Sequence, residues 1–402
     1  MKFKTIDDFD FNGKTALVRV DLNCAVDEKT KKIAGSDRIN AHAVTVEELA
    51  GKKAKVVVLA HQGRKGEPDF IPLEQHAKLL GEKAHVPVKF VPDVAGEKAK
   101  AAIKAMKPGE VILLDNVRFL DDETKGMPQD AKIVEALGPL AQVFVLDAFS
   151  VAHRAQASVV GFAGEMPVVA GRIMEMELTA LNKFEKPKAP VMFLLGGAKP
   201  EDSMPILEKW LAEGKVKKAM TCGVMGNLFL LASGKKLGPK TEKYLEEKGA
   251  LKDLKKAEEL LEKYPLKIEF PNDVAYGANG KRVEVQMDAL PADGQVMDIG
   301  VLTAKHYMKH VAEAGTVLMN GPAGVYEMEL FGQGTEFLLR AIEHAPGFTL
   351  LGGGHTLAAL DKFKIDKRKI GYISLAGKAL IEFLSGDELP GVRMLEKYAE
   401  KK

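Results

Sequence analysis

Short runs of β-branched and apolar residues, hydrophobic nearly from end to end, alternate along this chain with longer stretches of helical periodicity. No other feature constrains the fold as tightly. A strand exposed on one face alternates polar and apolar side chains, whereas a strand buried on both faces reads as a continuous apolar run. Such strands belong to parallel sheets whose helical crossovers cover both faces. In the first half the expected strands are 15–20, 55–60, 88–91, 111–114 and 142–146, with helices over 37–50, 73–82 and 130–137. The second half repeats the theme, with strands expected at 190–195, 218–222, 267–270, 316–320 and 348–351. No fixed-period repeat or low-complexity tract interrupts it.

At 402 residues the chain exceeds what one core usually supports, so two domains are expected. The boundary falls in the segment 171–190, where a helical stretch (ELTALNKF) runs into the polar series Glu185, Lys186, Pro187, Lys188, Ala189, Pro190. That composition is usual for a connector between compact units. The expected fold is therefore α/β, with two Rossmann-like lobes, each a parallel sheet flanked by helices, joined by a helical hinge. The boundaries predicted are 1–170 for the first lobe, 171–188 for the hinge helix and linker, 189–385 for the second lobe and 386–402 for a tail.

Several classes of function are set aside by composition. With 46% hydrophobic and 28% charged residues and a net charge of +2, the chain lacks the basic balance of a nucleic-acid binder. Its two cysteines, Cys24 and Cys222, make neither a metal-ligand spacing nor a disulfide framework. No metal-ligating residue is assigned. The opening MKFKTIDDFD has no apolar core of a signal peptide, and nowhere do about eighteen apolar residues run together. A cytoplasmic protein with no membrane partner is expected.

In open parallel sheets, ligands sit beyond the carboxyl ends of the strands. In the first half those positions carry Arg19, Asp21 and Asn23; His61 and Arg64; Arg118; and Asp147 with Arg154, while Arg38 opens the first long helix. Taken singly, each arginine reads as readily as a surface ion-pair residue. Five of them near strand ends point instead to a small polyanion, because guanidinium groups grip carboxylate and phosphate in pairs of hydrogen bonds. Asp21 and Asn23 would orient the ligand, although Asp21 is also placed to pair with Arg38. In the second half glycines take over: Gly196 and Gly197 before Lys199, Gly352, Gly353 and Gly354 before His355 and Thr356, and a third turn from Asn320 to Glu327. Glycines let a backbone approach phosphate, and the helix N-terminus that follows offers free N–H groups. Neither the P-loop nor the dinucleotide fingerprint is present. Glu327 reads as a ribose acceptor or as a helix cap.

These residues, in this order, resemble phosphoglycerate kinase of the archaeal type over nearly the whole chain. The matching stretches are RVDLN (19–23), HQGR (61–64), NVRF (116–119), DAFSVAHRAQAS (147–158), LGGAK (195–199), NGPAGVYE (320–327) and LGGGHT (351–356), followed by EFL (382–384) and ELPGV (388–392). His355 and the Lys/Glu-rich insertion at 239–264 look archaeal. The resemblance implies reversible phosphoryl transfer between ATP and the carboxylate of 3-phosphoglycerate, giving 1,3-bisphosphoglycerate and ADP. By the same resemblance, Asp21, Asn23, Arg38, His61, Arg64, Arg118 and Arg154 hold the phosphoglycerate. Gly196, Gly197, Lys199, Gly223, Asn320, Glu327, Gly353, Gly354 and Thr356 hold ADP or ATP with Mg²⁺. Arg38, Lys199, Gly354 and Gly377 serve catalysis, and the last residues return to pack on the first lobe. A monomer or small homo-oligomer is expected. The chemistry agrees, since a carboxylate is ionised at neutral pH and needs no general base.

One loop departs from the family pattern. Where a Ser-Thr-Gly-Gly-Gly-Ala run is familiar, this chain has Ser374, Leu375, Ala376, Gly377, Lys378, Ala379. If a lost glycine had positive φ, Ala376 or Lys378 would be strained. Two outcomes follow: Lys378 supplies a charge where a backbone donor stood, or the protein binds its ligands without fast transfer and serves as a binding or regulatory protein. Smaller departures are Ala25 for proline, Leu146 for asparagine, Pro200 after Lys199, and Cys222 for glycine. The last predicts a tighter nucleotide pocket.

Overall fold

The computed structural model describes residues 1–400; the last two residues of the expected 386–402 tail, Lys401 and Lys402, lie outside the described residues. The chain folds into two compact units, one of Met1–Thr179 with the segment from Glu388 on, the other of Ala180–Asp387. The first boundary falls inside the helix Arg172–Glu185.

In the first unit six strands form one parallel sheet: β1 (Thr15–Arg19), β2 (Lys55–Leu59), β3 (Val88–Val91), β4 (Val111–Leu114), β5 (Val143–Leu146) and β6 (Val168–Ala170), in the order β3-β4-β2-β1-β5-β6. All five residues of β1 are buried, as a strand covered on both faces requires. The helix Asp37–Gly51 starts where Ser36 accepts a hydrogen bond from the Ile39 amide at 3.3 Å, and it buries Ile39, Ala43, Val46 and Leu49 against the sheet. The C-terminal helix Pro390–Glu400 belongs to this unit. Its Gly391 amide donates to the Ala152 carbonyl at 2.9 Å, and a Cβ on Gly391 would stand 3.1 Å from Ala152.

The second unit carries β7 (Val191–Leu195), β8 (Lys218–Thr221), β9 (Ile268–Glu269), β10 (Asp273–Ala278), β11 (Lys281–Gln286), β12 (Val296–Ile299), β13 (Thr316–Asn320), β14 (Phe348–Gly352) and β15 (Tyr372–Ile373). Six form a second parallel sheet in the order β15-β14-β13-β7-β8-β9, and three form a small antiparallel sheet, β11-β10-β12. Trp210, on the helix Pro200–Ala212, is packed between Phe184 and Phe193 with ring centroids 4.8 and 5.6 Å away; its indole donates to the Leu384 carbonyl at 3.0 Å.

The α/β class, with two parallel sheets flanked by helices, is as the sequence predicts. The short strands β6 and β15 and the antiparallel sheet are additions. Among the described residues, no helix is long and apolar enough to cross a membrane.

Candidate active site

Strand β1 ends in Arg19, whose side chain is fully buried. An isolated cation there would cost several kcal/mol, and the fold answers with partners. Its Nε donates to Ser158 Oγ at 2.8 Å and an Nη2 hydrogen faces His61 Nδ1 at 3.1 Å. Glu123, also buried, accepts from the Ser158 hydroxyl at 2.6 Å and the Ser158 amide at 2.9 Å. Arginine has no acceptor, so His61 Nδ1 must accept and the imidazole proton sits on Nε2. Burial, then the Arg19 charge, pushes the His61 pKa well below its ordinary value. His61 therefore stands at the end of β2 as a neutral N–H donor.

The next residues form a second layer. Asp21 is buried, accepts from Arg38 Nη1 at 2.8 Å and from Ser150 Oγ at 2.5 Å, and caps the Asn23 amide at 3.0 Å. Burial works against the charge on Asp21, but the Arg38 guanidinium and the Ser150 hydroxyl beside it favour that charge, and its carboxyl is held well below the usual range. The pairing of Asp21 with Arg38, one of the two sequence readings, is thus realised. Asn23 Oδ1 accepts from the Gly63 amide at 2.9 Å. Gly63 has φ +65°, and a Cβ there would strike the Asp69 backbone at 2.5 Å. Arg118 donates to the Gly63 carbonyl. Behind these loops Asn116 Nδ2 donates to the carbonyls of Gln62 at 2.7 Å and Ile71 at 3.1 Å, which ties the turn after β2 to the turn after β4.

Arg64, Arg118 and Arg154, with Lys65, Leu120, Asp121, Thr124, Lys125 and Gln156, line a cavity of about 340 Å³ in this unit. Burial first, then the charges of Arg154, Arg19 and Arg64, lower the Arg118 pKa to about 10. The guanidinium groups of Arg154, Arg19 and Arg64 thus act against the charge on Arg118, Glu123 partly offsets them, and Asp121 on the cavity wall pairs with Lys65. Such a place favours a bound polyanion.

In the second unit the glycine loops touch backbone to backbone. A Cβ on Gly321, φ +87°, would stand 2.5 Å from the Gly196 carbonyl carbon, and one on Gly223, φ +56°, 2.9 Å from the Gly197 nitrogen. The loops are cross-bonded: the Gly196 amide donates to the Asn320 carbonyl at 2.9 Å, and Gly197 to Pro322 at 2.8 Å. The Gly223 amide donates to Ala323 at 2.9 Å, and Gly321 to Thr356 Oγ1 at 3.0 Å. Asn320 Nδ2 is held by Ser203 Oγ at 2.9 Å. Gly353, φ +91°, and Gly354 lead into the helix Gly354–Lys362. Lys199 caps the helix Pro200–Ala212, with Pro200 at its first position, where no backbone donor is lost. Beside them a pocket of about 180 Å³ is walled by Gly197, Gly223, Val224, Asn227, Tyr244, Val296, Pro322, Gly324 and Glu327 among others. Cys222 is not on that wall; it lies wholly buried in the core under Gly196.

The 374–379 loop keeps a glycine where the backbone demands one. Gly377 has φ +56° and ψ −118° and caps the helix Lys378–Ser385, whereas neither Ala376 nor Lys378 has positive φ. The strain envisaged for the substituted positions is absent. Lys378 pairs with Glu382 at 3.2 Å, and its charge, with that of Lys199, acts on Asp202, whose carboxyl burial nevertheless raises.

A magnesium ion fits this wall only as a passenger of a phosphate ligand. Asp298 spends its oxygens on Arg282 and on the amides of Ile299 and Gly334, at 2.9 Å each. Glu327 is more open; one oxygen meets His355 Nδ1 at 3.2 Å. No three ligating side chains gather here among the described residues. Mg²⁺ commonly takes one or two carboxylates and completes its shell with phosphate and water, so this donor set suffices.

Of the predicted residues, Asp21 joins Arg38, Asn23 joins Gly63, and His61 joins Arg19, with Arg64, Arg118 and Arg154 around one cavity. In the other unit Gly196, Gly197, Gly223, Asn320, Gly353 and Thr356 interlock. Sequence reasoning missed Glu123, Ser150 and Ser158 as partners, and it gave Arg19 no role of its own.

Comparison with known proteins agrees in depth and extent. A family model described as phosphoglycerate kinase matches residues 6–387. The phosphoglycerate kinase of Methanothermus fervidus is 42% identical, with 98% of this chain and 97% of that protein covered. That of Thermoplasma acidophilum is 38% identical, with 98% of each covered. The crystal structure of phosphoglycerate kinase from Pyrococcus horikoshii OT3 superposes with a TM-score of 0.91 at 36% identity, covering 99% of this chain and 100% of that one. Likeness at this identity, sustained from one end to the other in both sequence and fold, shows that the chain belongs to the phosphoglycerate kinase family.

Proposed function

We propose that the arginine-lined cavity of the first unit seats 3-phosphoglycerate, that the glycine wall of the second seats ADP or ATP with Mg²⁺, and that the chain moves a phosphoryl group reversibly between ATP and the substrate carboxylate. The observation that carries this reading is the gathering of Arg64, Arg118 and Arg154 around one cavity, a concentration of positive charge that a phosphate and a carboxylate would relieve.

The attacking carboxylate needs no proton removed, so the chain's work is positioning and charge stabilisation. Arg64, Arg118 and Arg154 would bind the distal phosphate, with neutral His61 donating from Nε2. Arg38, anchored through Asp21, and Lys199 would meet the phosphoryl group in flight. The N-terminal amides of the helices at Gly354 and Lys378 would face its oxygens. Mg²⁺, when bound, spreads the charge of the polyphosphate, with Glu327 offering a carboxylate. Nothing in the 374–379 backbone favours the binding-only alternative.

A coupled assay of ADP formation tests the assignment. Arg118→Ala is expected to raise the KM for 3-phosphoglycerate by roughly 10–100-fold while the KM for ATP stays within about twofold, since a charge-assisted bidentate contact to one substrate is lost. Equal rises in both would refute a phosphoglycerate-specific seat. The altered loop gives a second test. Gly377→Ala forces a side chain into a backbone region that costs about 1–3 kcal/mol, and kcat is expected to fall by about tenfold. Ala376→Gly, at a position without positive φ, is expected to leave kcat within about twofold. A large gain from Ala376→Gly would instead mark the natural loop as impaired.

A further inference from the structure

Away from the nucleotide wall, three potential ligands converge on the edge of the second parallel sheet. His306 and His310 lie four residues apart on the helix Val301–Ala312, so both imidazoles leave the same face. Glu269 ends the edge strand β9. Its Oε2 is 3.0 Å from His306 Nε2 and 3.3 Å from His310 Nε2. In a tetrahedral site with bonds of about 2.0–2.1 Å, neighbouring ligand atoms stand about 3.3 Å apart, so both separations already match an edge of that polyhedron. All three ligand atoms lie within 4.8 Å of one another.

Two further features make this more than an ion pair. His310 Nε2 is buried and, although 3.3 Å from Glu269 Oε2, makes no well-formed hydrogen bond, so its lone pair is not committed as that of a simple hydrogen-bonded ion pair would be. Lys218, on the neighbouring strand, takes the other carboxylate oxygen, Oε1, at 2.6 Å. Oε2 is thereby turned toward the imidazoles as a one-oxygen ligand with its outer partner in place. The backbone on both sides is fixed. Tyr307, between the two histidines, donates to the Thr221 carbonyl at 3.0 Å, and Thr221 Oγ1 donates to the Glu269 carbonyl at 3.0 Å.

We propose that Glu269, His306 and His310 form a three-ligand zinc site with an open fourth position, which staples the edge strand β9 to the helix Val301–Ala312. Two imidazoles and one carboxylate suit Zn²⁺, which takes nitrogen and oxygen ligands without geometric preference, better than Mg²⁺, which asks for oxygens. The site shares no residue with the nucleotide pocket.

The full chain, stripped with chelator and free of nucleotide, is titrated with Zn²⁺ by calorimetry in a phosphate-free buffer. One equivalent is expected to bind with micromolar or tighter affinity, to raise the thermal unfolding midpoint, and to be replaceable by Co²⁺ with the intense visible absorption of a four-coordinate centre. His306→Ala, at a half-exposed position that threatens no packing, is expected to weaken binding at least tenfold and abolish the midpoint shift. Glu269→Gln and His310→Ala should do the same, and kinase activity without zinc should be unchanged in His306→Ala. Absence of binding at micromolar zinc overturns the proposal. So does binding that survives His306→Ala and His310→Ala together, or that is lost instead in His355→Ala.

Discussion

Replacing Arg38 by alanine is expected to lower kcat by about 10²–10³-fold, the loss usual for one preorganised donor to a transition state. Arg38 opens the helix Asp37–Gly51, and its guanidinium is tied at Nη1 to buried Asp21 while a third of the side chain remains open to solvent. One edge of the fork is thus spent on orientation and the other is free for a phosphoryl oxygen. Arg38→Lys should recover little, because an ammonium cannot serve Asp21 and the phosphoryl group at once in a fixed plane. The substitution also removes a charge that keeps Asp21 ionised, so its carboxyl is expected to titrate closer to the ordinary range in Arg38→Ala. Single-turnover rates measure the first effect, and carboxyl titration by NMR the second. A kcat within threefold of the parent would remove Arg38 from the transfer step.

The second large effect concerns stability. Arg19→Met fills a similar volume, yet it leaves buried Glu123, linked to Arg19 through Ser158 Oγ, without the cation that faces it, a loss of about 1–3 kcal/mol for a buried polar group left uncompensated. The pH dependence carries a sign. Burial already raises the Glu123 pKa, against the pull of Arg19 and Ser158, and without Arg19 it should rise further. A carboxyl protonated more readily folded than unfolded destabilises as pH climbs from about 4 through the folded pKa. Arg19→Met should therefore be weakest at neutral pH and regain stability toward pH of about 5, as followed by denaturant melts. Adding Glu123→Gln should restore much of the neutral-pH loss. The KM for 3-phosphoglycerate should nonetheless stay raised, because His61 loses the donor that fixes its tautomer.

Much of this fold is written locally. Burial on both faces produces the apolar runs of β1, β2, β5, β7 and β13, and a two-sided run cannot be mistaken for an amphipathic helix. β6 has only three residues and β15 two, too few to stand out as a pattern. The antiparallel hairpin was legible in principle. Asn279 and Gly280 both have positive φ, and an Asn-Gly pair between alternating residues is a strong short-range hairpin signal. At the site, charge at strand ends could be read from order alone. The support for Arg19 could not, since Ser158 lies 139 residues away in sequence and Glu123 joins it only through folding. Likewise the glycine motifs mark where backbone must be free, but not that Gly196 and Gly321 press against each other.

The C-terminal helix has a consequence for how the molecule is made. Leu389, Val392, Met394 and Leu395 are buried in the unit built mostly from the chain's beginning. A ribosome delivers residues in order, so that unit cannot finish until the segment from Glu388 on is made, whereas Ala180–Asp387 is one continuous span that can close as it emerges. Premature termination before Glu388 would therefore damage the unit of Met1–Thr179, made earlier, rather than Ala180–Asp387, made later. Quality control would meet a nascent chain whose second half is sealed while its first half still waits.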